Sequence, residues 1–364
     1  MTKRVFIIAA VSLYIISAYF SFYYFSTGSI SGLTQKINLP LVKYKPPVDS
    51  KGNVIIDTSA PKTEECPLSG EMLTKAHKAL WEKRRPLGVM IENSIDARPQ
   101  SGLRNAEVVY ETLAEGGITR LLAVYLAKDT DLGPVRSNRT YFLDWVSEYS
   151  AGYAHIGGSP EAQGLVKTYS IRDLDQFFNS AAYERVTYRF SPHNVYTTTQ
   201  KLRGAAATRA YRGPVTIKSW RFADEEALLE SRPKAFTLDL GFRGTYGYAV
   251  RWIYNAKTNN YSRFNAGKKH IDATDNKQLW AKTIAVQLVK VSPDPSGHSR
   301  IQQGTIGSGK ALVFKNGKVV SGTWKKKSRT ARTRFFNKKG EEIEFNRGRI
   351  WIEVVPSDSY IKYK

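Results

Sequence analysis

From Val5 to Phe25 the chain runs for 21 residues without a charged side chain. As a helix rising 1.5 Å per residue this run spans about 31 Å, the depth of one hydrocarbon core. It is longer than the apolar region of a cleaved signal peptide. It also carries Tyr14, Tyr19, Phe20, Phe22, Tyr23, Tyr24 and Phe25, not the small residues of a cleavage site. The segment 5–25 is therefore expected to be a transmembrane helix serving as an uncleaved signal anchor. Lys3 and Arg4 precede it directly, which places residues 1–4 in the cytoplasm and the body outside the cell membrane by the positive-inside rule. Lys36, Lys43 and Lys45 follow the other end and weigh toward the opposite orientation.

About 300 residues remain beyond the anchor, enough for two ordinary domains. A hydrophobic content of 41% argues against a disordered chain. The single cysteine, Cys66, forms no internal disulfide and stands too far from the anchor to be an acylated lipoprotein cysteine; it reads as a buried or idle thiol. A formal charge of +23 says more about partners than about fold. It predicts salt-weakened attraction to anionic envelope polymers, lipid headgroups or nucleic acid.

Residues 26–65 read as a linker, with Gly28 and Gly32 after the membrane run and Pro40, Pro46, Pro47 and Pro61 breaking any regular pattern. A domain spanning 66–213 follows. It opens with a helix at Lys75 to Lys83 and a strand at Pro86 to Ile91, continues with a helical stretch at Asn105 to Ala114, and reaches a strand at Thr119 to Leu126, an α/β pattern. Tyr141, Phe142, Trp145 and Tyr149 recur at helical spacing, as core residues do. From 214 to 364 the texture turns β-rich: Ala235 to Leu240, Tyr248 to Tyr254, Ile284 to Val291, Ala311 to Phe314, Thr333 to Phe336 and Ile350 to Val354 are separated by turn signals such as Asn316-Gly317. The expected class is α+β: an N-terminal α/β domain and a C-terminal, mainly antiparallel β domain behind one transmembrane helix.

Arg85-Pro86-Leu87-Gly88-Val89-Met90-Ile91-Glu92-Asn93, followed by Ala97-Arg98-Pro99-Gln100-Ser101-Gly102-Leu103, resembles the opening of the YerB-like lipoprotein family. The resemblance continues through Val109-Tyr110-Glu111, Glu115-Gly116-Gly117-Ile118-Thr119-Arg120, Gly133-Pro134-Val135-Arg136-Ser137, His155-Ile156-Gly157-Gly158-Ser159-Pro160 and Pro192-His193-Asn194. In the second half it rests on Arg263, Asn265, Gly267, His270 and Asp272, on Gly307-Ser308-Gly309-Lys310 and on Gly322-Thr323-Trp324-Lys325. The resemblance covers about Pro67 to Pro356 and implies an envelope-facing body of two family domains, without an established activity. Family members are typically held by an acylated cysteine, so a transmembrane anchor here would be a different route to the same topology.

The chemistry-bearing residues of the first half are arginines in loops: Arg98, Arg120, Arg136 and Arg139, with Gln100, Ser101, Ser137 and Asn138 beside them. Converging guanidinium forks bind phosphate or carboxylate, so Arg98, Gln100, Ser101, Arg120, Arg136, Ser137 and Arg139 form an anion-binding candidate set. Pairing of each arginine with a local acid is the alternative. Glu111, Glu115, His155 and His193 are the acid–base candidates for an envelope hydrolase or transferase acting on glycan or phosphodiester, provided that they converge. Five scattered histidines without HExxH or CxxC spacing give no metal site, and no cofactor is expected. His270 and Asp272 would share a strand face as a structural pair. Gly304 to Lys310 lacks the phosphate-loop spacing and reads as a β-turn.

Between Lys310 and Arg349 stand 13 Lys or Arg against three Glu. Lys325, Lys326, Lys327, Arg329, Arg332 and Arg334 interleave with Trp324, Phe335 and Phe336 as a candidate basic patch. A membrane-anchored binder of anionic envelope material is the leading expectation. An envelope enzyme and an extracellular nucleic-acid binder are the alternatives.

Overall fold

The structure is a computed structural model that describes residues 3–27, 44–50, 54–224, 226–242 and 246–364, with side chains of the first helix described at 11–23. It divides into two units, Met1–Lys45 and Pro46–Lys364. The first unit contains the helix Lys3–Thr27, whose described side chains are exposed, with Leu13 at 74% and Tyr14 at 76%. Among the described residues no helix is long and apolar enough to cross a membrane. The expected crossing at 5–25 extends past the described side chains at both ends. The expected linker 26–65 lies partly outside the described residues, at 28–43 and 51–53; at its end Lys62–Glu65 already pairs as a strand with Met72–Thr74.

The second unit is α+β and is built on a mixed sheet of ten strands. Five strands come from each half of the chain. In spatial order they are Arg334–Asn337, Lys318–Lys326, Gly307–Lys315, Thr283–Val289, Ile350–Pro356, Val108–Leu113, Thr119–Tyr125, Leu87–Glu92, Gly152–Ala154 and Arg172–Asp173. The halves meet where Ile350–Pro356 lies parallel to Val108–Leu113, with Glu353 beside Glu111. The segments 66–213 and 214–364 thus keep different textures yet complete one sheet.

Both faces of this sheet are buried, because alternate residues enter two different cores. Val89 and Ile91 pack with Val109 and Trp351 on one face, while Met90 packs with Tyr110 and Ile352 on the other. The helix Thr140–Glu148 brings Tyr141, Phe142 and Trp145 into the second core, as the aromatic spacing predicts. The first core is covered by a six-stranded sheet from the second half, which includes Thr237–Gly241, Val250–Asn255, Asn260–Asn265 and Tyr360–Tyr363. Its strands alternate cleanly, with Val250, Trp252 and Tyr254 buried and Arg251, Ile253 and Asn255 exposed.

Asn105 to Ala114 is a correction. Instead of a helix, Val108–Leu113 is a central strand, buried at all six positions. A strand covered on both faces shows no alternation, and Val108, Val109 and Tyr110 have the branched and aromatic side chains that favour it. Gly304 to Lys310 also differs from a simple turn, since Gly307 begins the long strand Gly307–Lys315. The following hairpin does turn at Asn316-Gly317, with φ of 54° and 68°, as a two-residue turn of this kind requires. Cys66 is fully buried. Burial, with the Glu107 carboxylate, pushes its thiol up to about 12, so it is inert at neutral pH.

Candidate functional site

The arginine loops gather at one end of the Leu87 and Thr119 strands. Glu92 and Arg120 are cross-strand partners there, and the loop carrying Arg136 to Arg139 is fastened by Arg136 N–H to Met90 O at 2.9 Å and Asn138 N–H to Gly157 O at 3.0 Å. Arg120 donates through Nη2 to Glu115 Oε1 at 3.1 Å and through Nη1 to Ser137 O at 3.0 Å. Arg139 grips the same carboxylate through Nε at 2.9 Å and through Nη2. Burial alone would push the Glu115 carboxyl up, but Arg120 and Arg139 outweigh it and hold its pKa at about 2. Two of the expected anion-binding arginines are therefore paired with a local acid.

Arg136 keeps more freedom. Its Nε lies 3.3 Å from Glu92 Oε1, within ion-pair range but off hydrogen-bond alignment, since that N–H has no hydrogen-bond partner among the described residues. His193 Nδ1 stands 3.0 Å from Glu92 Oε2, and Ser94 donates its hydroxyl to Glu92 Oε1 at 2.8 Å. Ser94 Oγ is also 3.3 Å from the same His193 nitrogen. A nucleophilic triad needs the hydroxyl and the carboxylate on opposite ring nitrogens; here both address Nδ1.

Behind this surface lies a buried polar network that joins the halves. Arg263, inward-facing on Asn260–Asn265 and fully buried, donates through Nη2 to Glu111 Oε2, through Nη1 to Glu353 Oε1 at 3.0 Å and through Nε to His270 Nδ1 at 3.0 Å. Its guanidinium also lies over Trp351 at 4.4 Å and Trp252 at 5.2 Å. His270 Nε2 reaches Gln100 Oε1 at 2.7 Å, and Gln100 donates to Asn93 Oδ1 at 2.8 Å. Arg98 bonds Asn93 Oδ1 and O and, across the halves, Gly247 O at 2.9 Å. Burial and the neighbouring Arg263 and Arg98 charges push the His270 pKa well below its usual value, so it bridges as a neutral ring. Asp272 accepts the backbone N–H groups of Gly102 and Arg104 at 3.0 and 2.7 Å in place of the expected partner His270. Arg98 and Gln100 thus serve the junction, and Ser101 is tied to Gly133 by backbone bonds of 2.8 and 3.3 Å.

The four acid–base candidates occupy four separate networks. Glu111 belongs to the Arg263 cluster, Glu115 to the Arg120–Arg139 pair, and His193 to Glu92. His155 is fully buried, with Nε2 3.0 Å from Asp173 and Nδ1 2.8 Å from Gly157 O. The polar partners that sequence reasoning missed are Glu92, buried beneath Arg136 and His193, the half-buried Ser94, and Glu353 in the interior. Glu92 closes an apolar strand run and stands in the stretch that carries the family resemblance, but neither signal gave it a charged partner.

The basic patch also divides. Lys326 is buried and donates to Glu148 Oε1 at 2.8 Å. Arg332 is buried between Trp220 at 3.7 Å and Tyr149 at 4.1 Å. Arg334 pairs with Glu342 at 2.6 Å, and Arg329 donates to Ser147 Oγ at 2.7 Å. Lys325 and Lys327 remain exposed, Lys325 lying over Phe336 at 5.0 Å. Four of the six expected patch residues are thus committed to internal contacts: Glu148 and Ser147 draw in Lys326, Arg332 and Arg329, and Glu342 pairs Arg334.

Comparison with known proteins matches both halves to one family. Residues 68–212 match "Protein of unknown function (DUF3048) N-terminal domain" and residues 239–352 match "Protein of unknown function (DUF3048) C-terminal domain". "Putative lipoprotein YerB" of Bacillus subtilis (strain 168) is 30% identical over 305 residues, covering 81% of this chain and 87% of that protein. The crystal structure of the Bacillus subtilis YerB protein superposes with a TM-score of 0.72 at 27% identity, covering 82% of this chain and 99% of that one.

Proposed function

The chain belongs to the YerB-like family of paired DUF3048 N- and C-terminal domains, and on that premise we propose that it is a membrane-anchored, extracytoplasmic protein that binds anionic envelope material. The ligand class is wall polymer or lipid headgroup. One observation carries this reading. Among the described residues the core encloses eight Asp or Glu against five Lys or Arg, so burial there removes more acid than base from a chain of formal charge +23. The excess is displayed outward, where it attracts polyanions. Lys325, Lys327, Lys338 and Lys339 are exposed and need no internal partner, and Arg136 is held only loosely by Glu92.

The anchor in this reading is the helix Lys3–Thr27 with its uncharged run, and the name of the Bacillus subtilis relative supports a place at the membrane. A catalytic reading gains no support from the dispersal of Glu111, Glu115, His155 and His193. The test is co-sedimentation of the full chain in detergent with purified wall polymer and with anionic vesicles, across a salt series. Retention at low ionic strength that falls steeply with salt is expected, together with weakening in a Lys325→Glu/Lys327→Glu variant. Failure to sediment with either material at low salt removes the proposal, and preferential retention on DNA replaces it.

A further inference from the structure

A pocket of about 250 Å³ lies between Lys83–Leu87 and the C-terminal half of the helix Thr199–Thr208. Its lining includes Lys83, Arg84, Arg85, Arg203 and Arg212 and, among the described residues, no carboxylate. Beside these cations the wall is apolar, with Leu87, Ala206 and Tyr211. Asp129 is the acid that touches the group: it accepts both oxygens' bonds from Arg84 Nη1 at 3.1 Å and stands 3.4 Å from Arg203 Nε.

The arginines are fixed by backbone. Arg203 donates to Arg85 O at 3.0 Å and Leu126 O at 3.3 Å, and Arg85 donates to Ser150 O at 3.0 Å. A further cation, Arg172, shares the Ser150 hydroxyl with Arg85, at 2.9 and 3.0 Å. Two buried guanidinium N–H groups, Arg84 Nε and Arg85 Nε, have no hydrogen-bond partner among the described residues. Burial first, and then the like charge of Arg84, pushes the Arg203 pKa down to about 10, against the opposing pull of Asp129.

We infer that this pocket binds the phosphate-monoester end of a small organic molecule. Five lining cations against Asp129 leave an excess that a dianion offsets better than a carboxylate does. Guanidinium forks and a lysine match phosphate oxygens in geometry and charge. The volume falls below the roughly 300–1,000 Å³ of drug-sized ligand sites; it suits a phosphate with a short carbon body lying on Leu87, Ala206 and Tyr211. This assignment is independent of the envelope-polymer reading, since Lys325 and Lys327 take no part in it.

The experiment is titration calorimetry on the full chain in detergent with glycerol 3-phosphate as probe, and with glycerol and acetate as controls. Saturable binding to the phosphate ester alone is expected, weakening as pH falls through about 6, where the ester loses its second charge. Lys83 and Arg212 are exposed, so a Lys83→Glu/Arg212→Glu variant tests the pocket with little risk to folding; its affinity should fall by about tenfold or more. Lys83→Arg should retain binding, and Lys325→Glu/Lys327→Glu should leave it unchanged, which separates this site from the polymer surface. Parallel vesicles containing phosphatidic acid distinguish the sources: binding to vesicles without binding to the free ester assigns the site to a lipid headgroup, and the reverse to a soluble ester. No saturable binding to either probe, equal binding of acetate, or undiminished binding by the charge-reversed variant overturns the assignment.

Discussion

One arginine facing two carboxylates is electrically balanced when the pair holds a single proton. In the junction of the two halves that proton belongs on Glu353, whose pKa is pushed up to about 8 by burial and by the adjacent Glu111. Because the folded state then binds more protons than the unfolded chain between the ordinary carboxylate value near 4.5 and about 8, stability declines as pH rises through that window. Glu353→Gln keeps the acceptor for Arg263 and Trp252 and needs no proton, so it should flatten the decline; urea midpoints measured across the window report it. Glu115 behaves oppositely. Held at about 2 by Arg120 and Arg139, it contributes stability that is present above about 4.5 and lost as pH falls toward 2. Glu115→Gln should be less stable than the parent at neutral pH and the difference should vanish in acid, as acid-titrated circular dichroism would show. Glu111 was legible as a candidate from its place in the sequence, and Arg263 and His270 through the family resemblance. Glu353 was not, because it sits in the apolar run Ile350 to Val355 and acquires meaning only when that strand is set beside Val108–Leu113.

At the scale of elements, the turn chemistry and the alternating strands of the second half were readable, since one face of the small sheet meets water. The central strands were harder, and Val108–Leu113 was misread because burial on both faces erases the period that distinguishes strand from helix. Lys318–Lys326 was missed for a related reason: Gly322 interrupts its β-branched pattern. That glycine is required by packing, because a Cβ there would stand 1.8 Å from Phe336 O in the neighbouring strand. Gly322→Ala should therefore force the Lys318 and Arg334 strands apart and cost about 1–3 kcal/mol or more, measurable as a shift in the urea midpoint. The basic patch illustrates the limit of counting charges along a segment. The sequence shows that Lys326 and Arg332 are cationic, but only the approach of Glu148, some 180 residues earlier, turns them inward.

On the scale of the body Pro46–Lys364, two family domains share one sheet, both cores and a buried ion network. Separate melting of the two halves would leave Glu111 or Arg263 buried without its counter-charge, a costly state. A single cooperative unfolding transition is expected, with tryptophan fluorescence and far-ultraviolet circular dichroism giving coincident curves; two resolved transitions would contradict the shared-sheet account. The same connection has a consequence in time. The Val108 strand completes its outer pairing with the Ile350 strand, and Thr112 and Val354, bonded across it, are 242 residues apart. At a synthesis rate of 5–20 residues per second, the first half waits about 12–48 s for its neighbour. During that interval an apolar strand presents its unpaired edge, so the growing chain, rather than the finished protein, is the form most exposed to aggregation.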